Sequence, residues 1–203
     1  GFPEVFKKGA WLGNPVRPEI ANLPAPAERF AERSGPLRVL VIGGSLGAQA
    51  LNEVIPQGMA QLTEAELPQI VHQAGEKHID TLKANYAAVG VQAHCVPFIE
   101  DMQGAYEWAD LVICRAGALT VAELAAAGVA SILVPFPHAV DDHQTSNAKF
   151  LVHAGGAFLL PQNELTPDAI ALIRNYARGQ LLEMAEKARS LAKPDATADV
   201  ATL

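Results

Sequence analysis

Six short apolar runs that alternate with helix-spaced segments predict an α/β chain organised on a doubly wound parallel sheet of about six strands. Two of the runs pass into a helix through turns of small residues, Gly43-Gly44-Ser45-Leu46-Gly47-Ala48 and Arg115-Ala116-Gly117-Ala118. In a parallel sheet both turns open on the same edge. Half of the 203 residues are hydrophobic, which supports one large core or two small ones.

The elements follow in order. The chain before residue 37 is proline-rich and reads as a leading segment. Ala10-Trp11-Leu12 is a strand-like run. Pro15 and Pro18 hold the Val16-Arg17 pair stiff and extended. A short helix is expected over 27–33 and little other regular structure. Arg38-Val39-Leu40-Val41-Ile42 is the first β-branched run, and 49–62 is a helix with Leu51, Ile55, Met59 and Leu62 on one side, bent at Pro56. Gln69-Ile70-Val71-His72-Gln73 is a strand and 78–88 a helix. Ala93-His94-Cys95-Val96 is a strand and 102–108 a short helix. Leu111-Val112-Ile113-Cys114 is a fully apolar strand, and the Ala- and Leu-rich 119–127 a helix closed by Gly128. Ser131-Ile132-Leu133-Val134 is a strand stopped by Pro135, 144–154 a helix, and Ala157-Phe158-Leu159-Leu160 the last strand. Two helices end the chain, 166–178, with Thr166-Pro167 as N-cap and first residue, and 181–191.

Composition narrows the function. The net charge is −7 and no Lys/Arg run stands out, which disfavours nucleic acid as a partner. Cys95 and Cys114 fall in apolar runs and read as free buried thiols rather than a disulfide. No stretch reaches the ~20 apolar residues of a membrane span. The chain begins at Gly1 without a signal-peptide pattern and reads as a fragment or processed piece.

The chemistry concentrates at turns that lead into helices. A strand that turns directly into a helix points free N–H groups and the positive end of the helix dipole into the crevice beyond the strand, which is an anion site. Glu123 lies a turn or so into the helix after Cys114, among apolar residues. A carboxylate there suits a pair of sugar hydroxyls better than a phosphate; the alternative is one solvated Glu on a buried α/β unit. In the first turn Gly43, Gly44 and Gly47 let a phosphate approach the backbone and Ser45 adds a hydroxyl. The turn fits neither the dinucleotide fingerprint nor the P-loop, and no acidic residue stands on a second strand end, which disfavours a nicotinamide dehydrogenase. Gln144 and Asn147 share a helix face, and their amides pair a donor with an acceptor, as sugar hydroxyls require. His138, Asp141, Asp142 and His143 match no common metal spacing, so no metal is expected. Ile99 could cover a flat base, although its apolar side chain equally fits a plain lid.

Five motifs in this order carry a resemblance: Gly13-Asn14-Pro15-Val16-Arg17, Val41 through Ala48, Phe98-Ile99-Glu100-Asp101-Met102, Cys114 through Glu123, and Val134-Pro135-Phe136 through Gln144 and Asn147. Together they resemble the C-terminal half of the MurG family. These bacterial transferases add N-acetylglucosamine to undecaprenyl-pyrophosphoryl-N-acetylmuramoyl-pentapeptide (lipid I) and so make lipid II. The resemblance implies a GT-B glycosyltransferase, with two Rossmann-like domains across a cleft and the nucleotide sugar held mostly by the C-terminal one. It divides this chain into an interdomain segment (1–36), a UDP-sugar-binding domain (37–192) and a tail (193–203) that packs back toward the missing N-terminal domain.

Position by position, the resemblance implies that Arg17 and Ser45 contact the UDP portion and that the Ile99 backbone contacts uracil. It puts the diphosphate at the helix start formed by Ala118, Leu119, Thr120, Val121 and Ala122, and the ribose hydroxyls at Glu123. Gln144, with Asn147, would read the N-acetylglucosamine hydroxyls, and Gly44 and Gly47 would flank the donor. The resemblance also implies an inverting transfer that needs no metal or cofactor. No general base is found on this chain, so no catalytic residue is assigned. The acceptor lipid I and the membrane contact belong to the missing half. The implied setting is peptidoglycan and cell-wall synthesis, with roles in cell shape and division, peripheral on the cytoplasmic side of the bacterial inner membrane. Three rival readings share these features: a donor-binding subunit of a split glycosyltransferase, a UDP-N-acetylglucosamine 2-epimerase-like isomerase, and a non-catalytic nucleotide-binding module.

Overall fold

The register Ile42 against Cys114 places the ends of the two turn-forming strands side by side. The computed structural model describes residues 14–44, 48–137 and 143–193. The run at 10–12, Gly13, Ser45, Leu46, Gly47, His138, Asp141, Asp142 and the tail beyond Lys193 lie outside the described residues.

Six parallel strands form one sheet. They are β1 (Arg38–Ile42), β2 (Gln69–Gln73), β3 (His94–Val96), β4 (Leu111–Cys114), β5 (Ala130–Leu133) and β6 (Ala157–Leu159), in the order β3-β2-β1-β4-β5-β6. The expected doubly wound sheet is therefore present. Its strand order reverses between β1 and β4, so the chain leaves the two strands in opposite directions and a crevice opens beyond their carboxyl ends. Every residue of β4 and β5 is buried, as central strands covered on both faces must be.

Alternate residues of β1 serve opposite faces. Val39 and Val41 pack with Leu51, Ile55 and Met59 of α3 (Gln49–Met59) and with Leu82 of α4 (Ile79–Ala88). Leu40 packs on the other face with Tyr106 of α5 (Met102–Trp108), Leu124 of α6 (Ala118–Ala127) and Leu151 of α7 (His143–His153). Pro56 lies inside α3 and has no N–H to offer the Asn52 carbonyl. The Asn85 amide fills that gap, donating to Asn52 O at 2.9 Å. Behind it, His72 is fully buried, with Nε2 3.0 Å from Asn52 Oδ1 and Nδ1 2.9 Å from the Tyr86 hydroxyl.

The segment before β1 is more regular than expected. Pro18 starts a one-turn helix, α1 (Pro18–Ala21), and Pro26 starts a second, α2 (Pro26–Phe30), where 27–33 was expected. A proline at the first helical position loses no hydrogen bond, so Pro18 both stiffens the turn and starts a helix, and Pro26 starts the next. Ile20, Leu23 and Phe30 are buried in the domain's two cores.

The helix expected over 166–178 is not continuous. Thr166 caps it as predicted, accepting from Ala169 N at 3.2 Å, but the α-helix covers only Pro167–Ala171, followed by a 3₁₀ turn, Leu172–Asn175. Tyr176 and Ala177 are extended, and Arg178 begins the final helix (Arg178–Ser190). Two contacts account for the break. The Gln180 side chain accepts from Ala177 N at 2.9 Å, capping a new helix start. Arg178 reaches Asp110 Oδ2 at 3.0 Å and the Pro36 carbonyl at 2.9 Å, fixing that start against the amino end of the sheet. Asp110 itself is fully buried and also holds Arg33 Nη1 at 2.6 Å and Arg38 N at 3.0 Å.

Helix α6 ends at Gly128, whose φ of +64° is left-handed and whose missing side chain matters. A Cβ there would lie 2.9 Å from Pro26 Cγ and 2.9 Å from Arg189 Cβ. The helix's last carbonyls are met by cations: Arg29 donates to Ala127 O at 2.7 Å and to Gly128 O, and Arg189 donates to Ala126 O.

Candidate functional site

A cleft of about 700 Å³ lies across the carboxyl ends of β1 and β4, lined among others by Gly43, Gly44, Gln49, Arg115, Thr120 and Gln144. A smaller slot of about 190 Å³ adjoins it beyond β2 and β3, walled by Arg17, Ile42, Gln73, Phe98, Ile99 and Met102. Gly44 borders both. Two compartments meeting at a glycine suit a ligand with a flat apolar part and a polar, anionic part.

The polar compartment is built on the start of α6. Gly117 caps the helix with no side chain, and the first intrahelical bond is Val121 N to Gly117 O at 2.9 Å. The N–H groups of Ala118, Leu119 and Thr120 thus have no intrahelical acceptor. Ala118 and Leu119 are exposed, Thr120 faces the cleft, Ala122 is half-buried, and Val121 is fully buried in the core. Of this run the structure brings Thr120 to the cleft beside Gly117, whereas the predicted site residue Val121 turns its side chain into the core and spends its N–H on Gly117 O.

Glu123 is not the solvated carboxylate of the simpler reading. It is 7% exposed and both oxygens have partners. Arg17 Nη2 donates to Oε1 at 3.0 Å, and the Tyr106 hydroxyl donates to Oε2 at 3.1 Å. Burial, and after it the Glu123 charge, push the Tyr106 phenol well above its ordinary pKa, so it remains a neutral donor. The Arg17 side chain is 46% exposed and borders the smaller slot, where Ile99 also lies. The structure thus joins three predicted residues, Arg17, Ile99 and Glu123, with Arg17 standing over Glu123.

At the first turn, Gly44 takes φ +82° and borders the cleft. Ser45 and Gly47 lie outside the described residues. The N–H groups of Gly43 and Gly44 are already engaged: both donate to Gln73 Oε1, each at 3.1 Å. The Gln73 amide donates in turn to Gly44 O at 2.9 Å and Pro97 O at 3.2 Å. One buried amide therefore ties the glycine turn to the Phe98-Ile99 segment.

Gln144 and Asn147 share a face of α7, as their spacing predicts, and both meet the β4–α6 turn. Gln144 Oε1 accepts from Ala116 N at 3.2 Å and Phe136 N at 2.9 Å, while Asn147 Nδ2 donates to Ala116 O at 3.0 Å. Gln144 also lines the larger cleft, with its Nε2 unengaged among the described residues. The amides thus shape the turn first, and the Gln144 amino group is left for a ligand.

Three site residues escaped the sequence reading. Gln73 carries a faint signal, a polar residue at the carboxyl end of a strand. Tyr106 carries none, because an aromatic on a short amphipathic helix reads as core. Arg115 is the one charged residue in a turn of small ones; it lines the cleft, donates to Val134 O at 3.2 Å and stacks over Phe136, 5.3 Å from the ring centre. Burial lowers its pKa from the ordinary value. Among the described residues no cluster of three His, Cys, Asp or Glu side chains could hold a metal ion.

Comparison with known proteins gives this cleft its context. The glycosyltransferase family 28 C-terminal domain matches residues 38–200. A UDP-N-acetylglucosamine--N-acetylmuramyl-(pentapeptide) pyrophosphoryl-undecaprenol N-acetylglucosamine transferase of Dechloromonas aromatica is 83% identical over all of this chain, which spans 58% of that protein. The protein of the same name from Azoarcus sp. is 64% identical over 99% of the chain and 57% of its own length. The chain therefore spans a little over half the length of these curated relatives. The crystal structure of Acinetobacter baumannii MurG matches with a TM-score of 0.87 and 43% identity, covering 99% of this chain and 57% of that one. WaaG, a glycosyltransferase of lipopolysaccharide biosynthesis, shares the fold alone, at a TM-score of 0.61 and 18% identity over 93% of this chain and 55% of its own.

Proposed function

The chain belongs to the glycosyltransferase family 28 C-terminal domain family, and from that membership we propose that it is the donor-binding half of an enzyme that transfers N-acetylglucosamine from UDP-N-acetylglucosamine to lipid I, giving lipid II. The observation that carries this reading is the pairing of a narrow apolar slot with a helix start across one glycine, at the point where the strand order reverses. The relatives of Dechloromonas aromatica and Azoarcus sp., by their names, supply the sugar and the acceptor.

In this reading uracil enters the slot against Ile99, and Glu123 takes the ribose hydroxyls. The diphosphate rests on the N–H groups of Ala118, Leu119 and Thr120, with Arg17 beside it. Gln144 offers to the sugar its Nε2, which is unengaged among the described residues. These groups bind the donor, and they also stabilise the charge that grows on departing UDP, as a preorganised helix start and a guanidinium do. An inverting transfer additionally needs a base to take the acceptor proton, and we assign none to this chain. That base, the lipid I site and a peripheral contact with the cytoplasmic face of the inner membrane belong to the remainder of the longer protein. Among the described residues no helix is long and apolar enough to cross a membrane. The setting we assign is peptidoglycan synthesis, through which such an enzyme bears on cell shape and division.

Calorimetric titration of the 203-residue chain with UDP-N-acetylglucosamine and UDP-glucose tests the proposal. Preference for the N-acetyl sugar, with no turnover of lipid I, is the expected result. Equal affinities contradict the donor assignment, and turnover by the chain alone contradicts its description as a donor-binding half.

A further inference from the structure

We propose that Tyr106 is a positioning residue for nucleotide binding, its buried hydroxyl holding one oxygen of Glu123 so that the other is presented to a ribose diol in exchange for Arg17. The inference rests on the reading of Glu123 as the ribose ligand and adds the device that aims it.

The two oxygens of Glu123 have unlike partners. Tyr106, on Oε2, is 1% exposed, whereas the Arg17 side chain, on Oε1, is 46% exposed. A ligand hydroxyl can replace Arg17 without stranding a buried group, because the guanidinium returns to solvent or turns to the diphosphate. Replacing Tyr106 would leave a phenolic hydroxyl unpaired in the core, which is costly. Entry geometry agrees, since Arg17 borders the slot and is itself bonded to the buried Glu123.

Tyr106 is itself held. Arg29 Nη1 donates to its backbone carbonyl at 3.1 Å, and the same guanidinium grips Ala127 O at the far end of α6. Arg29 at one end and the Tyr106–Glu123 bond at the other thus brace α5 against α6. A glutamate has three side-chain torsions; a fixed hydrogen bond on one oxygen removes most of that freedom before a ligand arrives.

The test compares UDP with 2′-deoxy-UDP by calorimetry on wild type and Tyr106→Phe. Wild type should favour UDP by roughly tenfold or more, the worth of a hydrogen bond to a charged acceptor. Tyr106→Phe should lose most of that ratio while binding 2′-deoxy-UDP nearly as wild type does. A merely structural tyrosine would weaken both ligands alike, so an unchanged ratio in the variant overturns the positioning role and leaves the ribose reading intact. No ratio in wild type overturns both. Adding Tyr106→Phe to Glu123→Gln should cost no further UDP affinity, and additive losses count against the proposal. Should Tyr106→Phe not fold, 3-fluorotyrosine labelling of the wild-type chain, which has three tyrosines, reads the same contact. One resonance should move with UDP and not with 2′-deoxy-UDP, and three unmoved resonances overturn the assignment.

Discussion

Arg17 and Glu123, 106 residues apart in the chain, meet at 3.0 Å at the edge of the smaller slot. The pair joins the segment before the sheet to the helix at its centre, and it covers the carboxylate assigned to the ribose. Both residues are expected to contact the donor, so binding must open this ion pair.

Glu123→Ala should weaken UDP binding by about 1.5–3 kcal/mol, the range for hydrogen bonds to a charged group. Read as a solvated carboxylate, Glu123 would leave the melting curve unchanged when removed. Its burial against Tyr106 alters that expectation: the variant should also lose about 1–3 kcal/mol of stability, because a buried hydroxyl is left unpaired. Arg17→Ala should weaken UDP binding too, but as half of a partly exposed pair it should cost less than about 1 kcal/mol in stability. Calorimetry and urea denaturation on the two variants separate these effects. Undiminished UDP affinity in Glu123→Ala means that the ribose assignment is wrong.

How much of this was legible in the sequence depends on the range of the interactions. The six strands were, because each contains a short apolar run that is visible without any distant partner, even though the edge strand β3 has no fully buried residue. The β4–α6 unit was, because turn and helix are contiguous. The break at Tyr176 and Ala177 was not, since it depends on Arg178 reaching Asp110, 68 residues earlier. The burial of Glu123 was hidden for the same reason: its partners come from α5 and from the segment before β1. Gln73 shows the intermediate case. Its polarity at a strand end is visible, but that its amide would occupy the N–H groups of Gly43 and Gly44 depends on the β1–β2 register, Ile42 against Gln73.

Asp110 should be the residue whose loss is felt most far from the cleft. It is fully buried and accepts from Arg33, Arg178 and the Arg38 N–H, tying the starts of β1, β4 and the final helix together. Asp110→Ala leaves two guanidinium groups without their anion. Removing one partner of a buried ion pair costs about 3–5 kcal/mol, so the urea midpoint should fall steeply with little change in slope. UDP affinity, measured under conditions where the variant is folded, should be nearly unchanged, because this cluster lies at the amino end of the sheet and the cleft at the carboxyl end. An unfolding free energy within about 0.5 kcal/mol of wild type, the ordinary spread for inconsequential surface changes, would show that the cluster is not a structural anchor.

The pH dependence of stability should carry the signature of His72. Burial pushes its pKa down from 6.5 to about 3. The folded chain therefore keeps the ring neutral, with Nε2–H donating to Asn52 Oδ1 and Nδ1 accepting from the Tyr86 hydroxyl. The unfolded chain takes up a proton below about 6.5 and the folded chain does not until about 3. The contribution is thus whole above pH 6.5 and is lost as pH falls toward 3, at about 1.4 kcal/mol per pH unit for one proton. Between pH 6.5 and 5 that amounts to roughly 2 kcal/mol, in a range where most carboxylates are still ionised. His72→Gln cannot titrate, so its urea midpoint should be lower than wild type at pH 7 and flatter between pH 6.5 and 5. Parallel pH profiles for the two proteins over that range would mean that His72 is protonated in the folded state, and that the Asn52–His72–Tyr86 chain is not the neutral bridge its geometry describes.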